Sequence, residues 1–336
     1  HEFDIVTLDR VKRVVVEPDF ESWRAYATKT GVHGAVVSFL DAKRECFYRV
    51  EKTLSGKDFV TARGWVDVSD MIKLYEAKGI PVDSDLIVQY LQMDDVAEEF
   101  ALYYELYMRY KTEYGIEGVL AGEVSRSVLE RAQAAAFDER LSLLAILLDA
   151  VQATMRSCLD RENGIVLLRD FLREFKKRIG EGERAVDVLE ELGKRASAEL
   201  ESGLAARSIS PERAIGLRYS AERLKSLLSA VNDTALDGLE AFECVQKRYI
   251  DEVEQFKALG ALGSAQLSNL FAFVEEAFGN GDELTVLVTE LTARYHCSRF
   301  ISKYGSTEYF EHNSDLLVYK RSEDLQERIR ALNLDA

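Results

Sequence analysis

Proline is almost absent from this chain, and its scarcity limits the possible folds more than any other feature of the sequence. The 336 residues contain three prolines, Pro18, Pro81 and Pro211. The long stretches between and after them are rich in alanine, leucine, glutamate, arginine and lysine, which favour helix. We therefore expect a mainly α protein, with at most a short strand near its N-terminus.

Apolar residues recur at steps of three and four along several stretches of the C-terminal two thirds. This spacing places them on one face of a helix, and its repetition in successive segments is typical of antiparallel helices packed as a bundle. The four clearest sets are Leu141, Leu144, Leu148, Val151, Met155 and Cys158; Val186, Leu189, Leu192, Ala196 and Leu200; Leu217, Ala221, Leu224, Leu228 and Val231; and Phe242, Val245, Tyr249, Val253 and Phe256.

The N-terminal part follows a different pattern. The β-branched run Val11–Pro18 predicts a short strand, and residues 34–50 are predicted as one helix. Residues 54–64 predict a turn and an extended piece, after which apolar residues at helical spacing lead to Gly79 as a helix end. Arg63 therefore stands at the mouth of a helix.

Glycines mark the predicted domain boundary. Gly115, Gly118 and Gly122 cluster between the N-terminal segments and the long periodic helices, and such clusters interrupt regular structure. We expect a small helical domain over residues 1–122 and a helix bundle over residues 123–336.

Composition argues against several classes of partner. The formal net charge is −16, whereas a domain that binds a nucleic-acid backbone is normally basic, so we expect no nucleic acid. The four cysteines are widely separated and the histidines complete no zinc spacing, which favours free thiols in a reducing cytoplasm and no metal site. The most apolar run, Leu141–Leu148, is too short to span a bilayer, so we expect no membrane association.

The sequence predicts no self-contained active site. It contains no phosphate-binding G-x-x-x-x-G-K-[ST] loop, no G-x-S-x-G and no H-E-x-x-H. A tyrosine stripe at helical steps predicts rings packed at a domain seam, with a ligand-stacking face as the alternative; its members are Tyr103, Tyr104, Tyr107, Tyr110 and Tyr114.

Three segments of the first third resemble the MoxR-type AAA+ ATPases. "TLDRVKRVVVEPDFESW" is similar to the end of the nucleotide-binding core and its passage into the helical lid, and "GVHGAVVSFLDAKRECFYRV" is similar to the next lid helix. "FVTARGWVDVSDMIKLYE" resembles the segment that carries the arginine called sensor 2. The resemblance implies a lid-like domain over residues 1–122, with the tail end of the core at 1–18 and a helical extension after residue 123.

The resemblance also assigns two arginines. Arg63 matches the sensor 2 arginine, which in the family reaches from the lid to the γ-phosphate of ATP. Arg10 matches an arginine that can act as an arginine finger toward the ATP of a neighbouring subunit. The family often has proline before the sensor arginine and serine, threonine or alanine after it, whereas Ala62 and Gly64 stand here.

These matches imply a function in which this chain is one part of a larger ATPase. The chain starts at His1 rather than methionine, so we expect the phosphate loop and metal-binding strand to precede it, and ATP and Mg²⁺ to bind only in the parent protein. The family implies a homo-oligomeric ring with chaperone-like activity on protein partners, among them von Willebrand factor A-domain proteins. The alternatives are a non-enzymatic helical scaffold and, disfavoured by net charge, a DNA-binding regulator.

Overall fold

The protein is mainly helical, which confirms the predicted fold class. A computed structural model describes residues 17–53 and 56–314, and within these ranges the strands form one two-stranded sheet. The chain divides into two compact units, His1–Tyr110 and Lys111–Ala336. The strand predicted over Val11–Pro18 lies outside the described residues, except for Glu17 and Pro18, which have no regular structure.

The first unit combines helices with a β-hairpin whose strands are largely exposed. Its elements are α1 (Phe20–Thr30), α2 (Gly34–Ala42), a 3₁₀ turn (Arg44–Cys46), β1 (Arg49–Thr53), β2 (Gly56–Val60), α3 (Ala62–Lys78), α4 (Ser84–Val88) and α5 (Asp94–Glu113), the last of which continues into the second unit. The antiparallel strands place Val50 opposite Phe59. Polar caps start α1, α3 and α4, and left-handed glycines at Gly31 and Gly79 end α1 and α3.

The single helix predicted over residues 34–50 is wrong beyond Ala42. The chain leaves helical geometry at Lys43, passes through the 3₁₀ turn and enters β1. Phe47 thereby reaches the rings of Phe20 and Trp23, at centroid distances of 5.4 and 5.2 Å. Burial of this aromatic cluster and pairing of β1 with β2 therefore override the helical preference of the local sequence.

Three aromatic rings form the centre of the first unit. Phe39 of α2, Trp65 of α3 and Phe100 of α5 are fully buried, with centroids 5.2 to 5.7 Å apart. The Trp65 indole Nε1 donates to the backbone oxygen of Cys46 at 3.1 Å, so its polar atom is satisfied inside the core. Three helices are thus held by one cluster, and the first turn of α3 is part of it.

The second unit is a helix bundle built on two long helices. Its elements are α6 (Ile116–Ala121), α7 (Arg126–Ala134), α8 (Phe137–Gly180), α9 (Ala185–Ala205), α10 (Pro211–Thr234), α11 (Gly238–Phe278), α12 (Asp282–Ala293) and α13 (Tyr295–Tyr304), followed by helical residues 307–314. Gly115 and Gly122, which suggested a boundary after residue 122, take left-handed conformations at the two ends of α6.

Helices α8 and α11 each contribute residues to two apolar clusters. The first joins the C-terminal half of α8 to α9, α10 and the start of α11, with Phe175, Leu192, Leu224 and Val245 among its buried members. In the second, the N-terminal half of α8 and the C-terminal half of α11 pack with α6, α7, α12 and α13. Between the two clusters, the middle of α11 has no buried residue from Gln246 to Leu259.

Helix α8 is also long and apolar enough to cross a membrane. Among the described residues it is the one helix with this length and composition, and half of its most apolar stretch is buried inside the fold. A core helix of a globular protein has these same properties, so α8 is accounted for by the packing of the bundle.

Close packing of α8 against α10 makes Gly164 sensitive to substitution. A Cβ at residue 164 would lie 2.4 Å from the ring carbon Cγ of Tyr219, whereas one at Gly180, on the same helix, would meet nothing within 4 Å. We expect Gly164→Ala to lower the free energy of unfolding by about 1–3 kcal/mol, because the Tyr219 ring must move.

Chemical denaturation of wild type, Gly164→Ala and Gly180→Ala measures this effect. Gly180→Ala should be neutral or slightly stabilising, because it removes backbone freedom from the unfolded chain without a clash. Equal stability of all three proteins would contradict the close approach of α8 and α10.

Candidate functional site

The sequence-predicted arginine Arg63 lies at the start of a helix, on a well-supported backbone. It is the second residue of α3, after the N-cap Thr61, whose side chain accepts a hydrogen bond from the Gly64 N–H at 3.3 Å. Two residues later, Trp65 is anchored in the core. The backbone that carries Arg63 is therefore held from both sides.

Gly64 gives a further reason for this local structure. A Cβ at this position would lie 3.0 Å from the backbone oxygen of Tyr90, tighter than ordinary van der Waals contact. The backbone oxygen cannot move as a flexible side chain could, so a side chain here would push the start of α3 away from the segment that precedes α5. The glycine that departs from the family pattern is thus explained by close backbone packing beside Arg63.

The Arg63 side chain itself points into solvent. It is 89 % exposed, and its Nε lies 3.5 Å from Oδ2 of Asp67, one turn further along α3. The first turn of α3 contains no acidic residue. A cation at the positive end of a helix is not favoured by the helix dipole, so the dipole does not explain why Arg63 stands here.

The chemistry of this helix start suits an anion. A guanidinium offers several fixed N–H donors with a permanent charge and matches phosphate or carboxylate oxygens, and the positive end of the helix adds to the attraction. Arg10, the other arginine assigned from sequence, lies outside the described residues, so its role stays a prediction.

A second group of polar residues surrounds His33 in the first unit. Nδ1 of His33 accepts from the Ala35 N–H at 3.2 Å, and Nε2 lies 3.3 Å from Oε1 of Glu76, which also accepts from the Tyr104 hydroxyl at 2.9 Å. Both ring nitrogens are therefore engaged in capping and bridging. Desolvation and the Glu76 carboxylate raise the pKa of the Tyr104 hydroxyl, so this tyrosine stays protonated. The cluster ties α2, α3 and α5 together.

A polar cluster in the bundle was not anticipated from the sequence. Glu252 of α11 accepts hydrogen bonds from Arg161 and Tyr219 and pairs with Arg223 at 3.1 Å, which connects it to α8 and α10. Burial alone would raise the pKa of Glu252, but these donors and positive charges outweigh it, so its pKa lies below the ordinary value. A cavity of about 220 Å³ opens beside it.

A buried ion pair holds α12 and α13 against α8. The Arg294 side chain, 5 % exposed, contacts Asp149 of α8 at 2.5 Å and Glu290 of its own chain segment at 3.3 Å. Burial raises the pKa of the neighbouring Cys297 thiol to about 12. This cysteine is therefore an inert core residue, since thiolates are the reactive form.

Neither bundle cluster could be read from local spacing. Arg161, which binds Glu252, and Asp149, which binds Arg294, lie 91 and 145 residues away from them along the chain, so no i, i+3 or i, i+4 spacing connects these pairs. The contact between Arg294 and Glu290 does have i, i+4 spacing. Within residues 17–53 and 56–314, no group of three or more metal-ligating side chains comes together.

Comparison of the chain with protein-family models, with curated proteins and with solved structures finds no match.

The cluster of Glu252, Arg161, Tyr219 and Arg223, which we call the polar junction, can be tested through the pH dependence of protein stability. Because the folded pKa of Glu252 is lowered, its stabilising contribution is present above the ordinary glutamate pKa and is lost as the pH falls through the folded pKa. Glu252→Gln should therefore lower the free energy of unfolding at pH 7 by about 1–3 kcal/mol, because two arginines lose the carboxylate charge that compensates them. The difference from wild type should shrink in acid.

Denaturation curves of wild type and variant between pH 7 and acid check this expectation. Glu254→Gln, on the same helix, is the control, because the Glu254 side chain is exposed and its pair with Lys257 should contribute at most about 0.5 kcal/mol. A pH-independent difference for Glu252→Gln would argue against the charged junction.

Proposed function

We propose that this chain is the lid and C-terminal helical region of a MoxR-type AAA+ ATPase, in which nucleotide binding by a preceding core is coupled to remodelling of protein partners. One observation carries the proposal. Arg63, the residue that the resemblance matches to sensor 2, is a solvent-directed cation at the first turn of a helix whose backbone is tightly held.

The proposed role of Arg63 follows from its charge and from the rigid backbone that carries it. ATP, bound with Mg²⁺ by the core, supplies the phosphoanhydride bond that is hydrolysed. Arg63 donates hydrogen bonds to the γ-phosphate and offsets negative charge there, as arginines do in phosphoryl transfer. Because Trp65 anchors the same turn in the aromatic core, a pull on Arg63 is transmitted to the packed helices of the first unit. Arg10 would act in the same way toward the ATP of a neighbouring subunit.

The helical extension after residue 123 takes the role of the partner-binding region in this proposal. Its long helices present an extended solvated surface in a chain of net charge −16, which favours docking of proteins with basic patches. The proposed assembly is a cytoplasmic homo-oligomeric ring whose protein partners include von Willebrand factor A-domain proteins.

ATP hydrolysis by the full-length gene product tests the proposal. Arg63→Ala should lower turnover about tenfold or more, because charge stabilisation at the γ-phosphate is lost, while nucleotide binding is largely kept. Arg63→Lys should restore only part of the activity, because lysine lacks the fork of donors.

Arg126→Ala is the matched control. Arg126 is also in the first turn of a helix, is 91 % exposed and pairs with an acidic residue four positions later, Glu130, at 2.8 Å. Its loss should leave turnover unchanged. If Arg63→Ala behaves like Arg126→Ala, Arg63 is a surface arginine and the helical scaffold becomes the better interpretation.

A further inference from the structure

The partner of Arg63 within its own helix has a role that the resemblance does not assign. Asp67 lies one turn after Arg63 on α3, with 3.5 Å between the carboxylate oxygen Oδ2 and the guanidinium Nε. About half of the Asp67 side chain is exposed, so the pair stands in solvent rather than in the core. The neighbouring residues Trp65, Val68 and Ser69 are buried, which fixes the helix face from which both charged side chains project.

To bind a phosphate, Arg63 must either break its contact with Asp67 or contact both groups at once. Asp67 therefore competes with an incoming anion for one guanidinium, and its own negative charge repels that anion. In solvent such a pair contributes little free energy. Exclusion of water strengthens both the attraction between Asp67 and Arg63 and the repulsion between Asp67 and the anion. Only an anion that contacts Arg63 must overcome this competition.

We propose that Asp67 is a positioning residue that holds Arg63 in the absence of a γ-phosphate and thereby reduces the affinity for ATP relative to ADP. This inference rests on the proposed function, since it takes Arg63 as the γ-phosphate contact. Because ADP lacks that phosphate, it leaves the Arg63–Asp67 pair intact. Asp67 thus sets how strongly the lid responds to the difference between the two nucleotides.

The test measures nucleotide binding by the full-length protein, not its activity. Calorimetry with a non-hydrolysable ATP analogue and with ADP compares wild type, Asp67→Asn, Arg63→Ala and the double variant. Asp67→Asn should tighten binding of the analogue about two- to fivefold, the range that one exposed ion pair supports when part of its water is removed. ADP binding should stay the same.

Two further variants separate a charge effect from a structural one. Asp67→Glu keeps the carboxylate and should behave like wild type. Glu130→Gln removes the acidic partner of the matched pair Arg126–Glu130 and should change neither affinity. The effect of Asp67→Asn should also diminish at high salt, because exposed charges are screened.

The double variant distinguishes failure of this inference from failure of the proposed function. If Arg63→Ala lowers turnover but Asp67→Asn leaves binding of the analogue unchanged, weakens it, or acts equally in the Arg63→Ala background, Asp67 does not compete for Arg63 and the inference alone is overturned. If Arg63→Ala changes neither binding of the analogue nor turnover, the sensor assignment falls and the inference falls with it.

Discussion

Helix α8 must bury apolar side chains on nearly every turn from Leu143 to Phe175, and the second unit is organised by that requirement. One helix of this length cannot be covered by a single neighbour of ordinary size. Helices α9 and α10 cover its C-terminal half, and α6, α12 and α13 lie against its N-terminal half. Helix α11 packs along α8 in both regions. The bundle therefore has two apolar clusters with a polar junction between them.

The polar junction lies where two long helices continue past the end of each apolar cluster. Where the two clusters separate, α8 and α11 still run side by side, and Arg161 and Glu252 meet there. A carboxylate in such a place is stable only when donors and positive charges compensate its desolvation. Tyr219 and Arg223 of α10, together with Arg161, supply that compensation, so three helices that pack in the first apolar cluster are also joined by polar contacts.

In the first unit, the candidate functional residue depends on the core without being part of it. Trp65 and Gly64 bring the start of α3 against the aromatic cluster and the backbone of Tyr90. Arg63 is thereby presented to solvent from a backbone that cannot easily shift, and its counterion Asp67 comes from the same helix. A rigid backbone that carries an exposed cation is a suitable arrangement for sensing an anion, because only the side chain, and not the backbone, must be ordered when the anion binds.

The sequence by itself determined that this protein is mainly helical, that apolar helix faces recur along its C-terminal two thirds, and that Arg63 stands at a helix start. These features depend on local properties: scarce proline, apolar residues at steps of three and four, and polar caps. Of the first apolar set, Leu144, Leu148, Val151, Met155 and Cys158 are indeed buried on α8. Only the tertiary structure decided that the chain leaves helix after Ala42, that Gly64 is needed beside Tyr90, and that Glu252 and Arg294 find partners on distant helices. Those outcomes depend on contacts between residues far apart in the chain, and local spacing carries no information about them.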